Sequence, residues 1–206
     1  MTRLILASQS PRRAELLRQI GVDFDVAVAD IDETPGPGEA VARYVARMAR
    51  EKAWAVAASH PARPVLAADT VVEVDGEILG KPRDRRAAAR MLGRLSARAH
   101  RVWSSVALCV DGGTRQAESC TEVRFRALEA SEIAAYWETG EPRDKAGGYA
   151  IQGLGAVFVR EIMGSYSGVM GLPLFETAGL LRTVGIDPLI AASESKPHQN
   201  QRTNAS

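Results

Sequence analysis

Ser8-Gln9-Ser10-Pro11-Arg12-Arg13 places two arginines in what reads as the first turn of a helix. Cations at that end oppose the helix dipole, at about 0.3–1 kcal/mol each. An anionic ligand reverses the sign, because amide donors and two guanidinium forks then converge on one charge. A second group is the loop from Asp30 to Gly38, which carries Asp30, Asp32 and Glu33 and is stiffened by Pro35 and Pro37. Lys52, at the edge of an apolar helical stripe, and Lys81, in a Gly80-Lys81-Pro82 corner, form the third. The fourth is Asp69-Thr70, where a charge ends an apolar run. Singly, each has a plain reading: solvated arginines, a solvated loop, a snorkelling lysine, a strand-end cap. Jointly they supply four cations and several carboxylates. That set suits a polyphosphate with a divalent cation, since Lys and Arg neutralise phosphate while carboxylates hold Mg²⁺ through hard oxygens. The reading requires these residues to converge in space.

The elements that must position them follow from the patterning. Leu4 to Ala7 reads as a strand, and Arg12 to Ile20 as a helix capped by Ser10, started by Pro11 and closed by Gly21. Val22 to Ala29 alternates as a strand does. Glu39 to Ala58 is a long helix with a stripe through Val41, Tyr44, Val45, Met48, Trp54 or Ala55, and Val56. Val65 to Asp69 suits a central strand, continued to Val74, with Asp75-Gly76 turning a hairpin back through Leu79. Asp84 caps a helix to Leu95, and Arg101 to Val110 pairs with Thr114 to Arg126. Ser131 caps a helix ending at Gly140, and the glycine-rich Glu141 to Gly155 reads as a functional loop or crossover. Ala156 to Ile162 is a further strand and Pro173 to Val184 the last helix. Irregular alternation with hairpins predicts an α/β fold of mixed α+β type, a mixed sheet with helices on its faces.

The chain has 206 residues, 46% of them hydrophobic, enough for one domain over residues 1–190. Residues 191–206 are polar and are expected to form a disordered tail. A net charge of +1 gives no footprint for nucleic acid or an anionic membrane surface. The N-terminus lacks a signal-peptide h-region and no apolar run approaches a membrane span, so a cytoplasmic location is expected. Cys109 and Cys120 read as two core thiols, and His60, His100 and His198 are too scattered for a zinc site.

The stretch from Ala7 to Leu17 resembles the opening signature of the Maf family of nucleotide pyrophosphatases. So do Asp32-Glu33, Glu51-Lys52-Ala53, Ala68-Asp69-Thr70-Val71, Gly80-Lys81-Pro82 and the stretch from Asp144 to Gly153, while the stretch from Val169 to Pro173 resembles the closing signature. Seven motifs in family order cover roughly Leu4 to Val184. The resemblance implies a central twisted mixed sheet with helices on both faces, like that of inosine triphosphatases, and a cleft between two lobes. It implies cleavage of a nucleoside triphosphate between the α- and β-phosphates, in a house-cleaning role, with a divalent cation, Mg or Mn. Carried over, Asp69 matches the proton acceptor and Glu33 the metal-linked carboxylate, and the sequence leaves open whether Asp69 acts as base, metal ligand or both. Ser8, Arg12, Arg13, Lys52 and Lys81 surround the phosphates. A homodimer is the family expectation.

Within the family three positions track the base, here Arg12, Thr70 and Gln152, which resemble the dTTP/UTP branch. An amide at Gln152 offers donor and acceptor together, suiting the edge of uracil or thymine. The 7-methyl-GTP branch instead carries an aromatic after the Ser-Pro, a glutamine after the Asp and an acidic residue in the late loop. A different class of function is a nucleotide-binding regulator of cell division or septum formation with little catalysis. The paired Glu33 and Asp69 argue against it, since a pure binder needs no base beside phosphates.

Overall fold

The computed structural model describes residues 3–190. The sheet begins with β1 (Leu4–Ala7), followed by α1 (Pro11–Gln19) and β2 (Phe24–Ala27). After the acidic loop come α2 (Val41–Ala57), β3 (Val65–Val74), β4 (Glu77–Leu79) and α3 (Arg85–Leu95). A long hairpin, β5 (Ala99–Val110) with β6 (Gly113–Phe125), leads to α4 (Ala130–Glu138). Three 3-10 turns precede β7 (Val159–Met163), α5 (Tyr166–Met170) and α6 (Leu174–Arg182). The seven strands form one mixed sheet in the order β2-β1-β3-β5-β6-β7, with β4 also on β3. β1 runs parallel to β2 and β3, and the other pairs are antiparallel.

One irregularity in this sheet sets the site. On one side β3 pairs with β5 from Val65 to Glu73. On the other it meets β1 only at Val65 and Leu66, and β4 only at Val72, Glu73 and Val74. Residues 67–71 therefore have no ladder partner on that side among the described strands. Asp69 and Thr70 lie in this gap, flanked by the end of β1 and the end of β4.

The two-residue period of β3 sorts its side chains between two cores. Leu66 and Ala68 pack with Leu16 and Leu17 of α1 and Leu181 of α6. Val65 and Ala67 pack under Ala49 and Ala53 of α2, and Val71 under Val45 and Met48. Asp69 shares the parity of Ala67 and Val71, so it points at α2. Thr70 points at the opposite layer. A further core, around Phe125, Tyr136 and Tyr149, fills the space beneath α3 and α4. Each fully buried leucine contributes about 1.5–3 kcal/mol.

Several expectations are corrected. Asp69 is in mid-strand, not at a strand end. Ser10 stands at the N-cap of α1, but its side chain makes no cap bond. β2 is shorter than Val22 to Ala29, because β1 offers it only four partners. The apolar stripe of α2 runs through Ala49 and Ala53, which are buried, while Trp54 is 50% exposed. α4 is capped not by Ser131 but by Glu129, in a capping box with Glu132. Glu141 to Gly155 is largely 3-10 turn, a turn at Leu154–Phe158 replaces the start of the late strand, and α5 was not foreseen. Cys109 is buried but Cys120 is exposed. The expected tail and His198 lie outside the described residues. Among those residues no helix is long and apolar enough to cross a membrane.

Candidate active site

Ser8, Arg12, Arg13, Glu33, Lys52, Asp69, Thr70, Lys81 and Gln152 line one cleft of about 680 Å³ at the gap in β3, joined by Asp30 but not by Asp32. At its centre the Lys52 ammonium bridges two carboxylates. Its Nζ lies 2.7 Å from Asp69 Oδ1 and 2.8 Å from Glu33 Oε1. The Lys52 and Asp69 side chains are 12% and 10% exposed, while that of Glu33 is 58% exposed. α2 supplies the lysine, one turn beyond Met48, and β3 supplies the aspartate.

Glu33 belongs to the acidic loop, and α2 holds that loop by its backbone. The Tyr44 hydroxyl donates to the Glu33 carbonyl at 2.8 Å, and Arg47 Nη2 donates to the Thr34 carbonyl at 3.1 Å. Arg47 also makes a two-pronged pair with Glu39, whose carboxylate accepts from the Gly36 amide. These hydrogen bonds, from Arg47 first and Gly36 second, hold the Glu39 carboxyl down to about 2. Burial, with the carboxylates of Asp69 and Glu33 nearby, pushes the Tyr44 hydroxyl up to about 12. Asp32 turns away, accepting from the Thr34 amide.

The opposite wall is cationic. Arg13 donates from Nε to the Gly171 carbonyl at 2.8 Å and from Nη1 to Ser8 Oγ at 3.2 Å. Burial lowers its pKa, an effect the Asp69 carboxylate opposes. Ser8 Oγ also accepts from the Ser10 amide at 3.1 Å, which leaves the Ser8 proton free to donate. Arg12 pairs with Asp144 at 3.4 Å, and Asp144 also contacts Lys145. The Gly147 amide donates to the Gly80 carbonyl at 3.0 Å, tying this late loop to the corner that presents Lys81. Lys81 and Gln152 are exposed on the cleft wall and have no side-chain partner among the described residues. Thr70 is partly engaged: its hydroxyl shares a 2.8 Å hydrogen bond with Ser104 and donates to the Gly171 carbonyl at 3.3 Å.

Sequence reasoning missed Tyr44, Arg47 and Lys145. The last lines the cleft with a side chain 15% exposed. Its signal was a charged pair, Asp144-Lys145, opening a glycine-rich stretch. Tyr44 and Arg47 sit three apart on the face of α2 nearest the acidic loop, which only the loop's return path makes visible.

Among the described residues no group of three or more His, Cys, Asp or Glu could hold a metal ion by itself. Two carboxylates converging on one ammonium nevertheless fit a hard cation, because Mg²⁺ is usually held by one or two carboxylates plus substrate phosphates. The two carboxylates on one wall and the cations on the other mark an α/β protein that holds a small polyanion.

A family model described as Maf-like protein matches residues 3–184, and the chain belongs to the Maf family. It is 56% identical over 188 residues to a protein of Methylobacillus flagellatus named dTTP/UTP pyrophosphatase, covering 90% of this chain and 94% of that one. Proteins of the same name from Aromatoleum aromaticum and Myxococcus xanthus are each 53% identical. They cover 89% and 90% of this chain, and 96% and 94% of their own. The solved Ham1 protein of Staphylococcus aureus is 18% identical over 60% of this chain and 71% of that one, with a TM-score of 0.45.

Proposed function

We propose that this protein is a cytoplasmic pyrophosphatase that cleaves dTTP and UTP between the α- and β-phosphates, giving the monophosphate and pyrophosphate. The observation that carries the reading is the Lys52-bridged pair Asp69 and Glu33, facing Arg12, Arg13, Lys81 and Lys145 across one cleft. The names of the relatives support the substrate class. Water attacks the α-phosphorus, the bond to the α,β-bridging oxygen breaks, and pyrophosphate leaves.

Asp69 accepts the proton of the attacking water, and its 2.7 Å ion pair with Lys52 aims that carboxylate into the gap. Glu33 and Asp69 hold a divalent cation, Mg²⁺ or Mn²⁺, which when bound supplies Lewis-acid neutralisation of phosphate charge. Arg12, Arg13, Lys81 and Lys145 offset the charge that builds on the departing pyrophosphate, and Ser8 donates to a phosphate oxygen. Gln152 reads the base through its amide, which matches the N–H and C=O edge of thymine or uracil. Arg12 and Thr70 complete the selection, Thr70 by shaping the cleft beside Gly171.

The test is a panel of triphosphates with Mg²⁺ or Mn²⁺, with and without chelator, assayed for pyrophosphate. Release from dTTP and UTP that stops on chelation is the expected result. Pyrophosphate from 7-methyl-GTP alone would reverse the base assignment. Tight nucleotide binding without turnover would point to a regulator. Sedimentation of the same sample tests the homodimer that the family resemblance implies.

A further inference from the structure

We propose that Glu141 is a positioning residue for base selection: it closes the turn that presents Gln152. The inference rests on the reading of Gln152 as the base-contacting side chain. Glu141 follows α4 and is not among the residues that line the cleft. Its Oε1 accepts from the Tyr136 hydroxyl at 2.6 Å and from the Gly155 amide at 3.0 Å. Its Oε2 accepts from the Leu154 amide at 3.0 Å. The Tyr136 oxygen in turn accepts from the Ala150 amide at 3.1 Å. One carboxylate and one hydroxyl thus tie both stems of the turn, Ala150 on the way in and Leu154 and Gly155 on the way out. Gln152 stands at the apex between them.

The local sequence makes room for this clamp. A Cβ on Gly153 would overlap the Glu141 carboxylate, and one on Gly155 would lie 2.7 Å from the Tyr136 oxygen. The foundation is rigid, because the Tyr136 ring packs edge-on against Phe158 with centroids 4.9 Å apart. Burial disfavours the charge on Glu141, yet the hydrogen bonds from Tyr136, Gly155 and Leu154 hold its carboxyl below the usual range. It is therefore ionised at neutral pH and accepts all three bonds. An exposed amide on a turn can distinguish bases only if its backbone is held to within about 0.5 Å. Glu141 supplies that restraint without touching the phosphates.

Glu141→Gln keeps the shape and turns at least one acceptor into a donor facing a donor. The measurement is kcat and KM for dTTP, UTP and dCTP in wild type, Glu141→Gln, Gln152→Ala and the double variant, with melting temperatures alongside. The expected result is a fall of about tenfold in the preference for dTTP over dCTP, with KM moving and kcat within about twofold. The double variant should be no less selective than Gln152→Ala alone, since the clamp acts through that side chain. Multiplying losses in the double variant would overturn the inference. So would an equal fall in kcat for every nucleotide with a lowered melting temperature, which marks a merely structural role. Unchanged selectivity in Glu141→Gln while Gln152→Ala loses it would overturn the clamp and leave the reading of Gln152 standing. Unchanged selectivity in Gln152→Ala, or a wild type that does not prefer dTTP, would remove that reading and the inference with it. Should Glu141→Gln not fold, Tyr136→Phe carries the same expectation, because it frees the Ala150 amide.

Discussion

Lys52 Nζ and Asp69 Oδ1 lie 2.7 Å apart at the stretch of β3 that is paired with β5 on one side and with no strand on the other. The break between β1 and β4 lets solvent and ligand reach a mid-strand carboxylate whose chain neighbours, Ala68 and Thr70, are buried or nearly so. α2 closes the other side and delivers the lysine. A carboxylate so placed needs its cation in the free protein as well as during turnover.

The two variants of this pair should therefore behave differently. Lys52→Met strands a buried carboxylate, and we expect a loss of about 3 kcal/mol of stability. That corresponds to roughly 6–12 °C in melting temperature for a chain of this size. Asp69→Asn keeps an acceptor for the ammonium, so its melting temperature should stay close to that of wild type while pyrophosphate release falls by about 10²-fold or more. Thermal melts and a turnover assay on both variants decide the matter, and an Asp69→Asn protein with full activity would take Asp69 out of the chemistry.

Arg13 joins Ser8 to the Gly171 carbonyl with one planar fork. A lysine has the charge but not the fork, so it can satisfy one of those partners at a time. Arg13→Lys should lower kcat/KM for dTTP by about 10–100-fold, the equivalent of one or two charge-assisted hydrogen bonds. Steady-state kinetics with wild-type-like behaviour would mean that the charge alone suffices.

How far the sequence anticipated this site depends on how local each signal is. Ser10, Pro11 and Gly21 bracket α1, and Asp75-Gly76 turns β3 into β4, because those signals act within a few residues. Nine residues drawn from loops, strands and the helices α1 and α2 were expected in one cleft from their types and motifs, and they meet there. The break beside residues 67–71 could not be foreseen, since it depends on where two distant strands stop. The same nonlocality misplaced the end of β2, whose alternation persists through Val26 and Val28 although both are more than half exposed. Five-residue α5 is too short for a period to show. The clamp on Gln152 runs through Tyr136 and Glu141, which in the sequence read as a helix residue and the first residue of a loop.

Arg47 ought to govern Glu33 without contacting substrate. It holds the Thr34 carbonyl and Glu39, and so the acidic loop keeps its course past Lys52. Arg47→Met should leave Glu33 in the chain but poorly aimed. In a titration of activity against Mg²⁺ we expect the half-activating concentration to rise by about 3–30-fold, with activity recovering at saturating metal. A lowered plateau with an unchanged midpoint would assign Arg47 to the fold rather than to Glu33.

The acid limb of stability should be dominated by His100 before the carboxylates begin to titrate. The ring is 3% exposed, shares a 2.8 Å hydrogen bond with the Tyr149 hydroxyl through Nε2, and has no partner at Nδ1. Phe125 and Tyr149 pack edge-on against it, with centroids 4.9 and 5.4 Å away. Desolvation pulls its pKa down from 6.5 to about 4. Between those values the unfolded chain binds a proton that the folded one refuses, so stability present above pH 6.5 is lost as pH falls toward 4. From pH 6.5 to about pH 5 the loss should reach about 2 kcal/mol, at about 1.4 kcal/mol per unit. Glu39 and Glu132, both held to about 2, add their own losses only below the ordinary carboxylate range. Urea melts of wild type and His100→Gln across that window separate the two contributions. The variant should be flatter by that amount, and parallel curves would show that the proton is taken up elsewhere.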